Sequence, residues 1–251
     1  MITFLSVEAT SLALIGGAIT IALGGFLRGF LGFGAALLIV PVLSALFGPE
    51  KALVITYFME IPTIIYLMPG ALKNGDVKTI SPIVLALFFT IPIGIYFLIT
   101  IDPEIVKIVI SILVLAMVAL LASGWKPKGE IKLWTMISFG GLSGLINGAA
   151  GVGGPPFVTA LMARNDSPER TRGNIILALS CMSLLTTGNY LYNGLVTIDL
   201  IILSCVAAPI YVGSTWIGSQ YFNSFGSTYF RKGALIMLAL ISVVTIVLSV
   251  G

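Results

Sequence analysis

The sequence predicts an all-α polytopic membrane protein built as two inverted five-segment repeats, each a re-entrant half-helix pair plus three full spans. Composition, an internal repeat and the sidedness of the basic residues carry this fold class. Of 251 residues, 58% are hydrophobic and 9% charged, and mean hydropathy is +1.11. A soluble domain must wet its own exterior and cannot hide so much apolar surface, whereas lipid solvates it. Several apolar stretches approach the roughly 20 residues with which a helix crosses the hydrocarbon layer. They are continuous rather than alternating, which argues against membrane strands.

A shift of 119 positions brings the chain into register with itself without a gap. It carries Gly25, Gly29, Gly32 and Gly34 of GFLRGFLGFG (25–34) onto Gly144, Gly148, Gly151 and Gly153 of GLINGAAGVG (144–153). It also carries Pro49-Glu50-Lys51 onto Pro168-Glu169-Arg170, Asn74-Gly75 onto Asn193-Gly194, and Gly94 onto Gly213. One offset held over about 70 residues indicates duplication. The first repeat is residues 1–124, the linker 125–131 and the second repeat 132–251.

Each copy holds five apolar segments, at 9–27, 33–47, 51–69, 79–100 and 104–123, then at 132–146, 154–163, 170–190, 197–219 and 228–249. An odd number makes the second copy enter the membrane from the opposite side. Twelve of the 13 basic residues agree with that threading; Arg28 is expected inside the first glycine break, as Asn147 is in the second, and belongs to neither face. Lys51 and Lys107 fall on the face carrying the N-terminus. Lys73, Lys78, Lys126, Lys128, Lys132, Arg164, Arg170, Arg172, Arg231 and Lys232 fall on the other. Basic loops stay cytoplasmic, so both termini are expected outside and the linker inside. The first residues, MITFLSVEATS, have no basic residue and no cleavage site, and do not read as a signal peptide.

Two segments are too short to span. Residues 155–163 give at most about 14 Å of helix, and 34–47 roughly 20 Å, against a core of about 30 Å. The two glycine motifs are therefore expected near mid-depth, reached from opposite leaflets. Irregular backbone there needs protein or water as partner. The second and seventh segments begin just after these glycines, so their free N–H groups and positive dipole ends favour an anion. The candidate anion ligands are Gly32, Gly34, Gly151, Gly153 and Gly154, with Arg28 and its repeat counterpart Asn147. Close helix packing is the alternative role for the glycines. A structural ion pair, or a place at the cytoplasmic edge, is the alternative for Arg28.

Glu60 lies roughly 15 Å into the third segment and faces Leu179 in the repeat alignment. A carboxylate at that depth can carry a coupled proton or pair with Arg28. Tyr66, Thr186, Thr187 and Asn189 are cavity-lining candidates, although polar residues in bundles also bond neighbouring helices. Pro62, Pro92 and Pro209 read as kinks. Cys181 and Cys205 sit in apolar runs and read as small buried hydrophobes. No metal-ligand spacing or disulfide framework is present, and neither metal nor cofactor is expected.

GFLRGFLGFGAALLIVP (25–41) and GLINGAAGVGGPPFVTALM (144–162) resemble the paired signatures of the sulfite exporter TauE/SafE family. The resemblance covers essentially the whole chain. It implies passage of sulfite, sulfoacetate or a similar small sulfur anion across a prokaryotic inner membrane, with proton coupling, and leaves import or export undecided. Its motif glycines here are Gly32, Gly34, Gly151, Gly153 and Gly154; the first copy departs from the second by having Ala35 where the second has Gly154. The expected partners are a small anion and the bilayer, not nucleic acid, given a net charge of +3; a homodimer is left open. An anion channel or a carrier of another small solute is the alternative. Gly141-Leu142-Ser143-Gly144 spells the GxSG of intramembrane serine proteases, but the chain has no histidine to serve as base. An enzyme is therefore not expected.

Overall fold

The computed structural model describes residues 11–125, 127, 131–164 and 166–250, with side chains described between Ile15 and Ser224 apart from Ala122. Among the described residues there are nine helices and no strand: α1 Ser11–Leu31, α2 Ala35–Phe47, α3 Pro49–Asn74, α4 Val77–Thr100, α5 Pro103–Ala122, α6 Leu133–Ala150, α7 Gly154–Met162, α8 Pro168–Tyr192 and α9 Ile198–Val250. Five of them, α3, α4, α5, α8 and the Ile198–Ser224 part of α9, are long and apolar enough to cross a membrane. Their outward faces carry large apolar side chains such as Phe88, Phe89, Ile112 and Trp216, a surface that lipid rather than water solvates.

Local chemistry sets the helix ends. Asp76, Asp102 and Ser167 cap α4, α5 and α8, each accepting a backbone N–H from the first turn. Pro49, Pro103 and Pro168 stand at the first turns of α3, α5 and α8, where no amide partner is lost. By contrast α2 and α7 start after Gly34 and Gly153 with no side-chain cap. Adding 119 to the boundaries 31, 35 and 49 gives 150, 154 and 168, so the ends of α1 and the starts of α2 and α3 recur in α6, α7 and α8.

The contacts fix the relative directions of the helices. Gly75 near the end of α3 abuts Gly173 near the start of α8, Glu60 meets Ser183, and Tyr57 stacks edge-on against Tyr190. As α3 advances, its partners in α8 recede, so the two helices are antiparallel. Gly140, Gly144 and Gly148 of α6 press against Ile83, Thr90 and Gly94 of α4 in rising order. Gly25 and Gly29 of α1 press against Tyr211 and Thr215 of α9 likewise. These two pairs are parallel. A Cβ on Gly29 or Gly148 would collide with the partner's backbone carbonyl, so the close approach requires glycine there.

Two expectations need correction. The expected segments at 197–219 and 228–249 form one continuous helix, α9; between them stand no proline and a single glycine, Gly226, and one glycine does not stop a helix. Second, Arg28 and Asn147 lie in the last turns of α1 and α6 rather than in the breaks themselves. The breaks are confined to 32–34 and 151–153, where Gly32, Gly34 and Gly151 hold φ of 85°, 97° and 69°, the left-handed region that favours glycine. Lys126 and Lys128 fall outside the described residues, as do residues 9 and 10 of the first expected segment and the side chains of Arg231 and Lys232.

Candidate functional site

Both breaks border one pocket. Arg28 and Gly34 reach it from the first half, Gly151 and Gly154 from the second, and Glu60 and Ser183 from α3 and α8. The pocket encloses about 500 Å³ counting its solvent-open mouth. The chain reverses at each break. Gly24 of α1 packs on Ile39 of α2, and the Phe157 amide of α7 donates to Ser143 Oγ of α6 at 3.1 Å.

The two arms do not meet end to end. With 21 and 18 residues, α1 and α6 extend about 31 and 27 Å, more than half-helices. Gly32 lies against Arg172 and Ile176 in the first turns of α8, while Gly151 lies against Leu53 in the first turns of α3. Because α3 and α8 are antiparallel, the two reversals are displaced toward opposite ends of the bundle. Arg28, one turn before its break, is the residue level with Glu60.

Arg28 is 1% exposed. Its Nη1 donates to the Gly32 carbonyl at 2.6 Å, and its Nε lies 2.8 Å from Glu60 Oε1, close in distance but without hydrogen-bond alignment. Its Nη2 is buried with no partner. Glu60 Oε2 accepts from Ser183 Oγ at 2.7 Å. A buried guanidinium with an unused N–H arm is costly unless something else fills that position. The start of α2, with Ala35, Ala36 and Leu37 lining the same pocket, adds uncapped amides and a positive dipole end.

The start of α7 is different. Pro155 and Pro156 occupy its first turn and have no N–H to give, and the Phe157 amide is already spent on Ser143. Asn147 is fully buried and fully bonded. Its Oδ1 accepts from the Tyr57 hydroxyl at 2.6 Å, with the Gly151 carbonyl 3.2 Å from the same hydroxyl, and its Nδ2 donates to Thr186 Oγ1 at 2.8 Å. Thr186 in turn donates to the Met182 carbonyl. The second break is thus braced by a polar network, to which Ser143 adds by accepting the Phe157 amide.

Of the residues expected at the site, the pocket gathers Arg28, Gly34, Glu60, Gly151 and Gly154. Gly32 sits behind it against α8, and Gly153 is packed against the Ser143 carbonyl and Asn147. Asn147 and Thr186 belong to the brace; Asn189 bonds the Leu185 carbonyl on its own helix. Thr187 Oγ1 is buried without a partner, and Tyr66 borders a separate pocket. Tyr57, Ser183 and Tyr211, which also line the site, were not anticipated. Tyr57 is legible in retrospect: it precedes Glu60 by three residues, one turn along the same face. Ser183 repays a search for hydroxyls at helical spacing, with Ser180, Thr187 and Tyr190.

Five helices among the described residues long and apolar enough to cross a membrane, an apolar exterior and a buried charged pocket are the features of a polytopic membrane transporter. The family model Sulfite exporter TauE/SafE matches residues 17–245, and the chain belongs to that family. Searches of curated proteins and of solved structures gave no significant match.

Proposed function

We propose that the protein carries a small sulfur oxyanion or organosulfonate, such as sulfite or sulfoacetate, across a prokaryotic inner membrane by alternating access. Family membership supports the anion class. The observation that carries the reading is the unpartnered Nη2 of Arg28, inside a pocket that the start of α2 also borders. Guanidinium N–H groups paired with backbone amides suit an oxyanion, which offers several acceptors.

Charge balance argues for a coupled proton. Arg28 and Glu60 balance each other's charge within the pocket. Adding a monoanion leaves one uncompensated negative charge, which burial penalises heavily. Protonation of Glu60 removes that charge and frees Arg28 for the anion. One proton then accompanies each monoanion.

The two halves, 1–124 and 132–251, are read as inverted copies joined by the 125–131 linker. The antiparallel course of the repeat-equivalent α3 and α8, and the recurrence of helix ends at one offset, support inversion. Chain reversal within the bundle at 32–34 and 151–153 supports a long arm paired with a short one in each copy, α1 with α2 and α6 with α7, in place of two half-helices. The α3–α4 and α7–α8 turns come together through Arg170–Asp76 (3.0 Å) and Asp76 N–H to Asn174 Oδ1 (2.7 Å). Lys73, Lys78, Arg164 and Arg170 therefore share one end, taken here as cytoplasmic.

The test is a thermal-shift screen of purified protein against sulfite, sulfoacetate, taurine, thiosulfate, sulfate and small carboxylates, since a bound ligand raises the midpoint. Stabilisation by the carboxylates alone would overturn the sulfur-anion assignment. In proteoliposomes, Glu60→Gln is expected to bind the anion yet lose accumulation driven by a pH gradient. Retained accumulation would remove Glu60 from the coupling. Passage that only equilibrates the anion, whatever the gradient, favours a channel instead.

A further inference from the structure

On the far side of the first break lies a second pocket, about 700 Å³ counting its open mouth, which shares no lining residue with the first. It is bordered by the end of α3, the start of α8 and the Ser219–Asn223 stretch of α9, and so opens at the end where the basic turns gather. Its polar lining includes Asn74, Glu169, Arg172, Ser219 and Asn223. Arg172, placed among the cytoplasmic loop charges by the sequence pattern, lies instead within the bundle. One Nη2 donates to the Gly29 carbonyl at the end of α1 and approaches Ser219 Oγ at 3.3 Å. Its guanidinium carbon is 4.2 Å from the centre of the Phe222 ring, and its Nε is buried with no partner.

Arg172 therefore caps the negative end of α1, the same helix end that presents Arg28 to the inner pocket. The two guanidiniums stand on opposite sides of one thin partition, the turn from Arg28 to Gly34. Arg28 is neutralised by Glu60, whereas the contacts of Arg172 are to a carbonyl, a hydroxyl and a ring, none of them anionic. Glu169, in the lining, is exposed and water-screened, so it offsets the buried-side cation weakly.

We infer that the Arg172 pocket is a second anion site, a vestibule in which the transported anion rests between the basic face and the Arg28 pocket. The inference rests on the proposed function for the class of anion, but its test reads the vestibule alone. A single cysteine, Asn223→Cys, is placed at the mouth of a full-length protein in which Cys181 and Cys205 are replaced by alanine. Its labelling rates with an anionic and a cationic methanethiosulfonate reagent are compared. The anionic reagent is expected to be favoured, and Arg172→Gln to lower the ratio of rates about tenfold, because opposite reagents feel the local potential with opposite sign. Arg172→Lys, which keeps the charge, should preserve the ratio and guards against simple loss of structure.

Methanesulfonate, which does not consume the reagent as sulfite does, should slow labelling when Arg172 is present and not in Arg172→Gln. A ratio indifferent to Arg172→Gln, or charge preference without protection by methanesulfonate, overturns the site. The labelling is run in nanodiscs of neutral lipid and repeated with phosphatidylglycerol. Protection by methanesulfonate in both supports a vestibule for a soluble anion; protection by phosphatidylglycerol alone overturns it in favour of a headgroup site. Failure of the proposed function shows separately, as absence of any thermal shift by sulfur anions while the labelling pattern stands.

Discussion

At the first reversal a guanidinium is buried with one N–H arm empty; 119 residues later the amide of Asn147 has both ends taken. The contrast extends to the helices that follow. The start of α2 carries ordinary amides into the pocket, whereas in α7 Gly154 is followed directly by Pro155 and Pro156, which carry none. Both reversals use left-handed glycines and both are followed by a short helix. The same backbone bend thus occurs twice, with different side chains around it. The first keeps a guanidinium N–H without a partner. The second is a brace: Tyr57, on the same helix as Glu60, is tied across it to α6, so the wall facing Arg28 is held in place. The matched glycines led to an expectation of two alike helix starts; the structure instead makes them unlike, with unpartnered donors at the first and prolines and a bonded amide at the second.

That contrast can be attacked directly. Arg28→Asn gives the first reversal the side chain of the second, and sulfur-anion affinity should fall about 100-fold, the scale of losing a desolvated charge contact. Isothermal titration of the purified variant measures it, and undiminished affinity would sink the asymmetric assignment. Asn147→Ala should act on stability instead. It leaves the Tyr57 hydroxyl only its longer contact to the Gly151 carbonyl and removes the donor to Thr186 Oγ1, at a cost of about 1–3 kcal/mol, read as a lowered unfolding midpoint, while affinity in the surviving protein stays within about threefold. A collapse of affinity there would make the second reversal a ligand site after all. Tyr57→Phe removes a single donor and should cost about 1 kcal/mol by the same measurement.

The smallest effect is expected away from both reversals. The Thr79 hydroxyl, the Lys78 amide and Arg170 hold the Asp76 carboxyl below its usual range. A depressed folded value means that the ionised group stabilises the fold above the unfolded pKa of about 4, and that this is lost as pH falls through the folded value. Asp76 is partly exposed, so the contribution is small. The unfolding midpoint of Asp76→Asn should be slightly lower than that of the wild type at pH 6, and the two should converge once the pH has fallen below the depressed folded value. A gap that persists in acid would assign the effect of Asp76 to its cap geometry rather than to its charge.

Much of the architecture was legible from periodicity and spacing. The boundaries 47, 100 and 154 coincide with helix ends, because glycine, proline and Asp caps punctuate the chain locally. The pairing of Glu60 with Arg28, one of the two roles expected for it, is found in the structure. What escaped was the use of each polar group. Asn147 and Thr186 look like ligands in sequence because amides and hydroxyls in an apolar run are rare; their partners, Tyr57 and each other, lie 90 and 39 positions away. Arg172 was hidden for the opposite reason, sitting among loop charges only four residues after Pro168.

The amino-acid order by itself determined an apolar helical chain, the recurrence of its motifs at one offset and the places where the backbone must bend, since hydropathy, spacing and glycine can all be read along the chain. Tertiary structure alone decided which bend keeps a free charge and which is tied shut. Hydrogen-bond satisfaction is a property of neighbours in space, and those neighbours come from the antiparallel meeting of α3 and α8.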